Sequence, residues 1–183
     1  MNETNFIWCD LEMTGLDPDI HYPVEIATLI TNSRFEIIAE GPDLIIHQPS
    51  NVLKKSSPVA KTMHETSGLW DKITSSSISI EEAEIKTLEF LRKHASPGIS
   101  PMCGNTISQD RRFLIKYMPK LAEFFHYRHL DVTSLKIVYE TLEKDKNITF
   151  SKKNTHRAMD DIKESVAELN FYLKHMIKQD EIL

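Results

Sequence analysis

The chain has 183 residues, 40% of them hydrophobic, which is enough for one sizeable core and one expected domain, residues 1–183. A formal net charge of −5 argues against a broad basic surface for long nucleic acid, but not against a small local phosphate site. There is no basic opening segment leading into an apolar one, and no long apolar span, so the expectation is a cytoplasmic protein without a membrane partner.

Phe6-Ile7-Trp8-Cys9 opens an apolar run that predicts a buried strand. Asp10 and Glu12 interrupt it. Side chains alternate along a strand, so these two acids share a face. Carboxylates side by side on an apolar strand repel each other and resist desolvation, and a divalent cation relieves both problems. Thr14-Gly15 then breaks the strand and leaves the pair near an accessible end. The spacing itself is common: Asp17/Asp19, Glu82/Glu84 and Glu143/Asp145 repeat it and read as a turn and as solvated faces or loops. The apolar setting sets Asp10 and Glu12 apart. A strand end frayed into water is the competing reading. Cys9 and Cys103 both lie in strand-like runs and read as buried free thiols of a reducing compartment. A disulfide between them is the less favoured alternative, and no further cysteine supports a sulfur-ligated metal.

Residues 23–30 predict a second strand, with Glu25 its odd member. A turn at 31–33 leads to a third strand at 35–39, antiparallel to the second, and 44–47 extend the sheet after Gly41-Pro42. The polar stretch 49–77 has room for short helices, for example at 59–64. Ser79 and Glu82 form a capping box before a helix with Ile85, Leu88 and Leu91 at helical spacing. Residues 102–103 predict a short strand, and 108–118 a helix closed by Pro119. Asp110 shares that helix's apolar face with Phe113, Leu114 and Tyr117. A carboxylate there is costly without a partner, although the helix dipole offers an ordinary explanation. Residues 121–127 continue helically, 129–132 form a last short strand, and 133–142 a helix. The polar, basic stretch 144–154 reads as a loop. A final helix at 157–177 carries the stripe Ala158, Ile162, Val166, Leu169, Leu173 and Ile177. This order predicts an α/β fold: a mixed central sheet flanked by helices, its late strands parallel to the first.

The final helix opens with Thr155-His156-Arg157-Ala158-Met159-Asp160-Asp161. Asp161 adjoins the apolar stripe, and Asp160 is turned about 100° away. His156 stands too early to share Asp161's face within the helix, so it belongs at or before the helix start. Taken alone, a loop histidine and first-turn acids are ordinary. Taken together, Asp10, Glu12, Asp110 and Asp161 are four carboxylates on three elements, each oddly placed for a solvated acid. All-oxygen ligation suits Mg²⁺ or Mn²⁺ better than Zn²⁺. Two such ions ~3.5–4 Å apart can hold the attacking and leaving oxygens of a phosphoryl displacement. A histidine titrates near pH ~6.5 in water and can take the proton of a water nucleophile. The pattern points to metal-dependent phosphodiester hydrolysis without a covalent intermediate.

Asp10-Leu11-Glu12, the segment 104–110 ending Ser108-Gln109-Asp110, and His156-x-Ala158-x-x-Asp161 resemble the three motifs of the DEDD exonuclease superfamily, His-type branch. More narrowly, residues 10–16, 109–114 and 158–162 resemble the oligoribonuclease family. The resemblance covers nearly the whole chain. It implies an RNase H-like exonuclease fold, 3′→5′ hydrolysis of very short RNAs, especially dinucleotides, to mononucleotides, two divalent ions and a homodimer. It implies Asp10, Glu12, Asp110 and Asp161 as metal ligands and His156 as general base. It also implies that Leu16 wedges between two bases, His64 stacks beside one, and Ser108, Arg128 and Thr133 surround a 5′ phosphate. Tyr127 would reach across from the other subunit, pointing away from Arg128 on a strand-like approach. One position departs from the pattern: Val59 stands where the family carries a Trp, and Trp70 is near in sequence but not equivalent. The alternatives are a proofreading-type DNA exonuclease and an inactive nucleic-acid-binding module on the same fold.

Overall fold

A computed structural model describes residues 5–142, 149–152 and 155–176 of the chain. The apolar runs form a meander of β1 (Phe6–Met13), β2 (Pro23–Thr31) and β3 (Ile37–Ile45). Three short helices follow, α1 (Ser50–Leu53), α2 (Pro58–Thr66) and α3 (Leu69–Ser75), then α4 (Ile80–Leu91). The second half alternates: β4 (Met102–Gly104), α5 (Ser108–Tyr117), α6 (Pro119–Phe124), β5 (His129–Asp131), α7 (Val132–Leu142) and α8 (Ala158–Met176). The sheet order is β3-β2-β1-β4-β5. β1, β2 and β3 pair antiparallel, and β4 joins β1 and β5 in parallel, as the element order predicts. None of the described helices is long and apolar enough to cross a membrane.

β1 divides the core by its alternation. Ile7, Cys9 and Leu11 face α4, α5 and α6, packing with Leu91, Phe113 and Leu121. Trp8 faces the other way, against Cys103, Val166 and Leu169, and its indole N–H donates to the Thr31 hydroxyl at 3.0 Å. Asp10 and Glu12 follow Trp8's parity onto the α8 side. Trp8 pairs with Cys103 in register, so Cys103 lies on the face opposite Cys9. The two buried thiols are free, and the sheet between them precludes a disulfide.

Three details differ from the expectation. The third strand starts at Ile37, because the Asn32 side-chain oxygen accepts from the N–H groups of Arg34 and Glu36 and Phe35 turns left-handed at φ 58. It then runs unbroken through Gly41-Pro42. Pro42 is tolerated because β3 is a sheet edge, and a Cβ at Gly41 would lie 2.4 Å from the Thr28 hydroxyl. In α4 the capping box forms as read, but the buried face is Ala83, Thr87, Leu88 and Leu91, while Ile85 is 53% exposed. Ala83, Thr87 and Leu91 recur every four residues, a stripe hidden by its small and polar members. Glu84, read as solvated, is buried and accepts from the Leu121 N–H at 3.0 Å, capping the first turn of α6. In α8 the stripe from Ala158 to Leu169 is buried and gains Ser165, Glu168 and Tyr172. Ile177, Glu143/Asp145 and much of the 144–154 stretch lie outside the described residues.

The α4 result is testable by denaturant unfolding. Leu88→Ala should cost about 2–5 kcal/mol, whereas Ile85→Ala should stay within about 0.5 kcal/mol. Equal losses would contradict the observed face.

Candidate active site

The end of β1 gathers the acids. Glu12 is buried and stands directly opposite Glu25 of β2. Asp110, buried in the first turn of α5, accepts from the Leu11 N–H at 3.0 Å, which ties α5 to β1 between the two strand acids. Asp161 is in the first turn of α8, and His156 precedes that helix in a left-handed conformation, φ 53. One ligand atom each from Glu12, His156 and Asp161 lies within 4.8 Å of the others.

The electrostatics record the crowding. Burial, followed by the fields of Asp110, Glu12, Asp161 and Glu25, pushes the Asp10 carboxyl well above its ordinary range. Glu12 is pushed up to about 8, by burial first and then by Asp161, Glu25 and Asp110. Asp110 rises to about 7 through burial, partly offset by the Leu11 N–H, and Asp161 to about 6, again through burial. Among the described residues no lysine or arginine forms an ion pair with any of the four. Among the described residues only Glu12 and Asp161 of the four come together, with His156; their uncompensated carboxylate oxygens fit a hard divalent cation, with Asp10 and Asp110 close by on β1 and α5.

A neighbouring acid is compensated. Glu25, fully buried, accepts from Arg157 at 2.9 Å (Nε) and 2.6 Å (a terminal guanidinium nitrogen), and from the Ala158 N–H at 3.2 Å. The sequence signal was present: one acid in an otherwise apolar strand. What the sequence lacked was its partner, 132 residues away.

The residues expected at the substrate divide into two groups. A cavity of about 640 Å³ beside the acids is lined by Glu12, Leu16, Val59, Met63 and His64, among others. Leu16 stands exposed at its rim, its carbonyl held by the Gln109 side chain. His64 is only 1% exposed. Its Nε2 is 2.8 Å from the Met13 carbonyl oxygen, which can only accept, so Nε2 carries the hydrogen and Nδ1 is a bare acceptor. Nδ1 lies 3.8 Å from a Glu12 carboxylate oxygen and has no hydrogen-bond partner among the described residues. Burial lowers the His64 pKa, in keeping with a neutral ring. Trp70 does not line this cavity and lies under Lys61 instead. The expected phosphate contacts are less assembled. The Thr133 hydroxyl accepts from the Thr106 N–H at 2.9 Å, and Ser108 is exposed at the start of α5. No hydrogen bond joins Arg128 to either; its guanidinium lies over the Tyr127 ring, 5.3 Å from the centroid. The expectation that Tyr127 and Arg128 point apart fails, because the Arg128 N–H donates back to His126 Nδ1 and turns the chain before β5. Tyr127 is 72% exposed.

The raised carboxyls set the sign of a pH effect. Glu12 holds its proton to about pH 8 when folded but loses it near ~4.3 when unfolded, so its contribution falls as pH rises and levels off above about 8. Asp110 behaves likewise up to about 7. His64 acts oppositely, but only below about pH 6.5, where the unfolded ring gains a proton. In chelator, the melting temperature should therefore fall between about pH 6.5 and about pH 8, and Glu12→Gln should flatten the slope. A melting temperature that rises across this window would contradict the electrostatics.

A profile of the RNase_T family, described as exonuclease, matches residues 7–169, from β1 into α8. The oligoribonuclease of Pasteurella multocida is 49% identical over 177 residues, covering 97% of this chain and 96% of its own. That of Haemophilus influenzae Rd is 47% identical over 179 residues, 98% of each. Among solved structures, exonuclease I from Methylocaldum szegediense superposes with a TM-score of 0.68 over 97% of this chain at 15% identity. This chain spans only 41% of that exonuclease, and the likeness is one of fold. The spacing of the acids along β1, α5 and α8 thus lies within a match that runs almost end to end, and the chain belongs to the exonuclease family and, within it, to the oligoribonucleases.

Proposed function

We propose that residues 1–183 form a single exonuclease domain, active as a cytoplasmic homodimer, that hydrolyses very short RNAs, dinucleotides especially, from the 3′ end to nucleoside 5′-monophosphates with two Mg²⁺ or Mn²⁺ ions. The observation that carries this reading is the convergence of Glu12, His156 and Asp161 to within 4.8 Å, beside the half-buried Asp10 and the buried Asp110, neither paired with a lysine or arginine among the described residues, with Glu12 on the wall of a cavity of about 640 Å³. Bound by Asp10, Glu12, Asp110 and Asp161, the two ions would polarise the scissile phosphate, acidify the attacking water and neutralise the departing 3′ oxygen. His156, on a loop and outside the helix, accepts the proton of that water.

The cavity supports RNA as substrate. His64 Nδ1, an acceptor without a hydrogen-bond partner among the described residues, lies 3.8 Å from a Glu12 carboxyl oxygen, and both residues line the cavity. Ribose hydroxyls are donors of the right kind, and deoxyribose offers one fewer. His64 is then a sugar ligand rather than a stacking partner, and Leu16 at the rim separates the two bases. With Val59 on the cavity wall, apolar contact replaces an aromatic face at that base. Ser108, Thr133 and Arg128 gather at the 5′ phosphate once Arg128 leaves the Tyr127 ring. Tyr127, exposed in the monomer, serves the partner's site. The 22 lysines and arginines are outnumbered by 27 acids, and this net charge of −5 favours short substrates over a long backbone, whose binding needs a basic track.

The test is turnover of 5′-labelled RNAs of two to seven nucleotides with Mg²⁺ or Mn²⁺ against chelator. The dinucleotide should be the best substrate, its deoxy counterpart poorer, and chelator should stop the reaction. Rates that climb with length and a steep salt dependence would mean an extended groove instead. In the same assay Asp10→Ala and Asp161→Ala should abolish hydrolysis, and His156→Ala should lose ~10²–10⁴-fold while still binding substrate in Ca²⁺. Near wild-type turnover by any of the three would overturn its assigned role.

A further inference from the structure

Two buried carboxylates on the α8 side of the sheet have no part in the chemistry above: Glu25 on β2 and Glu168 on α8. Each meets a cation from the chain just before α8. Arg157 engages Glu25 through two guanidinium nitrogens, 2.9 and 2.6 Å from one carboxylate oxygen. Lys152 Nζ lies 2.8 Å from Glu168 and donates to the Asn105 side-chain oxygen at 3.0 Å. Glu168 also accepts from the Asn105 amide at 2.9 Å and the Tyr172 hydroxyl at 2.8 Å.

His156 stands between these anchors, next to Arg157 and four residues after Lys152. It lies outside helix and sheet, yet it holds φ 53, a region that costs a non-glycine residue energy. Such a conformation persists where its surroundings over-determine it. Fold stability is a poor explanation for the two ion pairs. Burying charges costs desolvation, and apolar replacements of buried pairs are often neutral or stabilising. Glu25 also stands opposite Glu12 in register, where a second unpaired carboxylate would add to the crowding; Arg157 removes that charge and is thereby held in place.

We infer that the Arg157–Glu25 and Lys152–Glu168 pairs anchor the chain on both sides of His156 and so set its ring against Glu12 and Asp161. These four are positioning residues. The inference rests on His156 being the general base.

The experiment is single-turnover hydrolysis of a diribonucleotide by Glu25→Gln, Arg157→Lys and Lys152→Met, each made in the wild-type and in the His156→Ala background. Gln keeps the shape of Glu without its charge, and Lys keeps the charge of Arg without its fork. The rate constant should fall ~10–100-fold in the wild-type background. The dinucleotide Kd in Ca²⁺ and the Mn²⁺ activation midpoint should stay within about twofold. In the His156→Ala background the same changes should cause no further loss, because the ring they place is gone. Losses that multiply in that background, or single variants within about twofold of wild type, overturn the inference while leaving the base assignment intact. A His156→Ala enzyme of wild-type rate overturns the base assignment itself. Should Glu25→Gln not fold, Lys152→Met carries the test, since that lysine is part-exposed and Glu168 keeps Asn105 and Tyr172.

Discussion

Mutual repulsion among carboxylates held out of water at one end of β1 is the constraint around which this protein is arranged. Asp10 and Glu12 cannot separate, because strand parity puts them on one face. Asp110 cannot withdraw, because the Leu11 N–H holds it against the strand. Asp161 arrives on the first turn of a helix whose stripe from Ala158 to Leu169 is sealed into the core. The result is a set of acids whose protons are hard to remove, the pattern that marks sites built for a cation or for chemistry.

The other buried acids nearby make the contrast. Glu25 has Arg157, and Glu168 has Lys152, Asn105 and Tyr172. Burial pushes Glu168 upward, yet those partners outweigh it and leave its pKa lowered. Glu84 spends its oxygen on a helix terminus. The fold thus supplies a cation or a helix terminus to the acids it uses as structure, while among the described residues no lysine or arginine pairs with the four at the site. Exposed, paired acids such as Asp19 with Lys116 belong to neither group and carry little energy.

Much of this was legible in the sequence, and the gaps have physical causes. The apolar context of Asp10 and Glu12, the misplaced acid at 110 and the break before Asp161 all lie in local patterns, and local patterns survive folding. The strand directions were readable because short connections favour antiparallel neighbours, while helices between strands favour parallel ones; the order of the strands was not. Glu25 was visible as an oddity but not as a partner, since nothing local links it to Arg157. The α4 face was misread because Ala83 and Thr87 give no hydropathy signal, whereas Ile85 gives a strong one and faces outward. His64 showed no local sign of burial; its role depends on a carbonyl of β1, 51 residues away. Arg128 and Tyr127 looked like neighbours on a strand, but the Arg128 N–H donates to the His126 ring and the Arg128 guanidinium lies over the Tyr127 ring.

The four carboxylates stand around one strand end without a cation of the chain, and Glu12 and Asp110 hold protons that a bound metal must displace. Calorimetric titration of the protein with Mn²⁺ near pH 6.5, in two buffers of different ionisation enthalpy, reads both the number of ions and the protons they displace. Because Glu12 and Asp110 titrate near 8 and 7, binding must expel protons at that pH. The expected result is two ions bound with net proton release, and both lost in Asp10→Ala. Proton-neutral binding, or binding that survives Asp10→Ala unchanged, would contradict it.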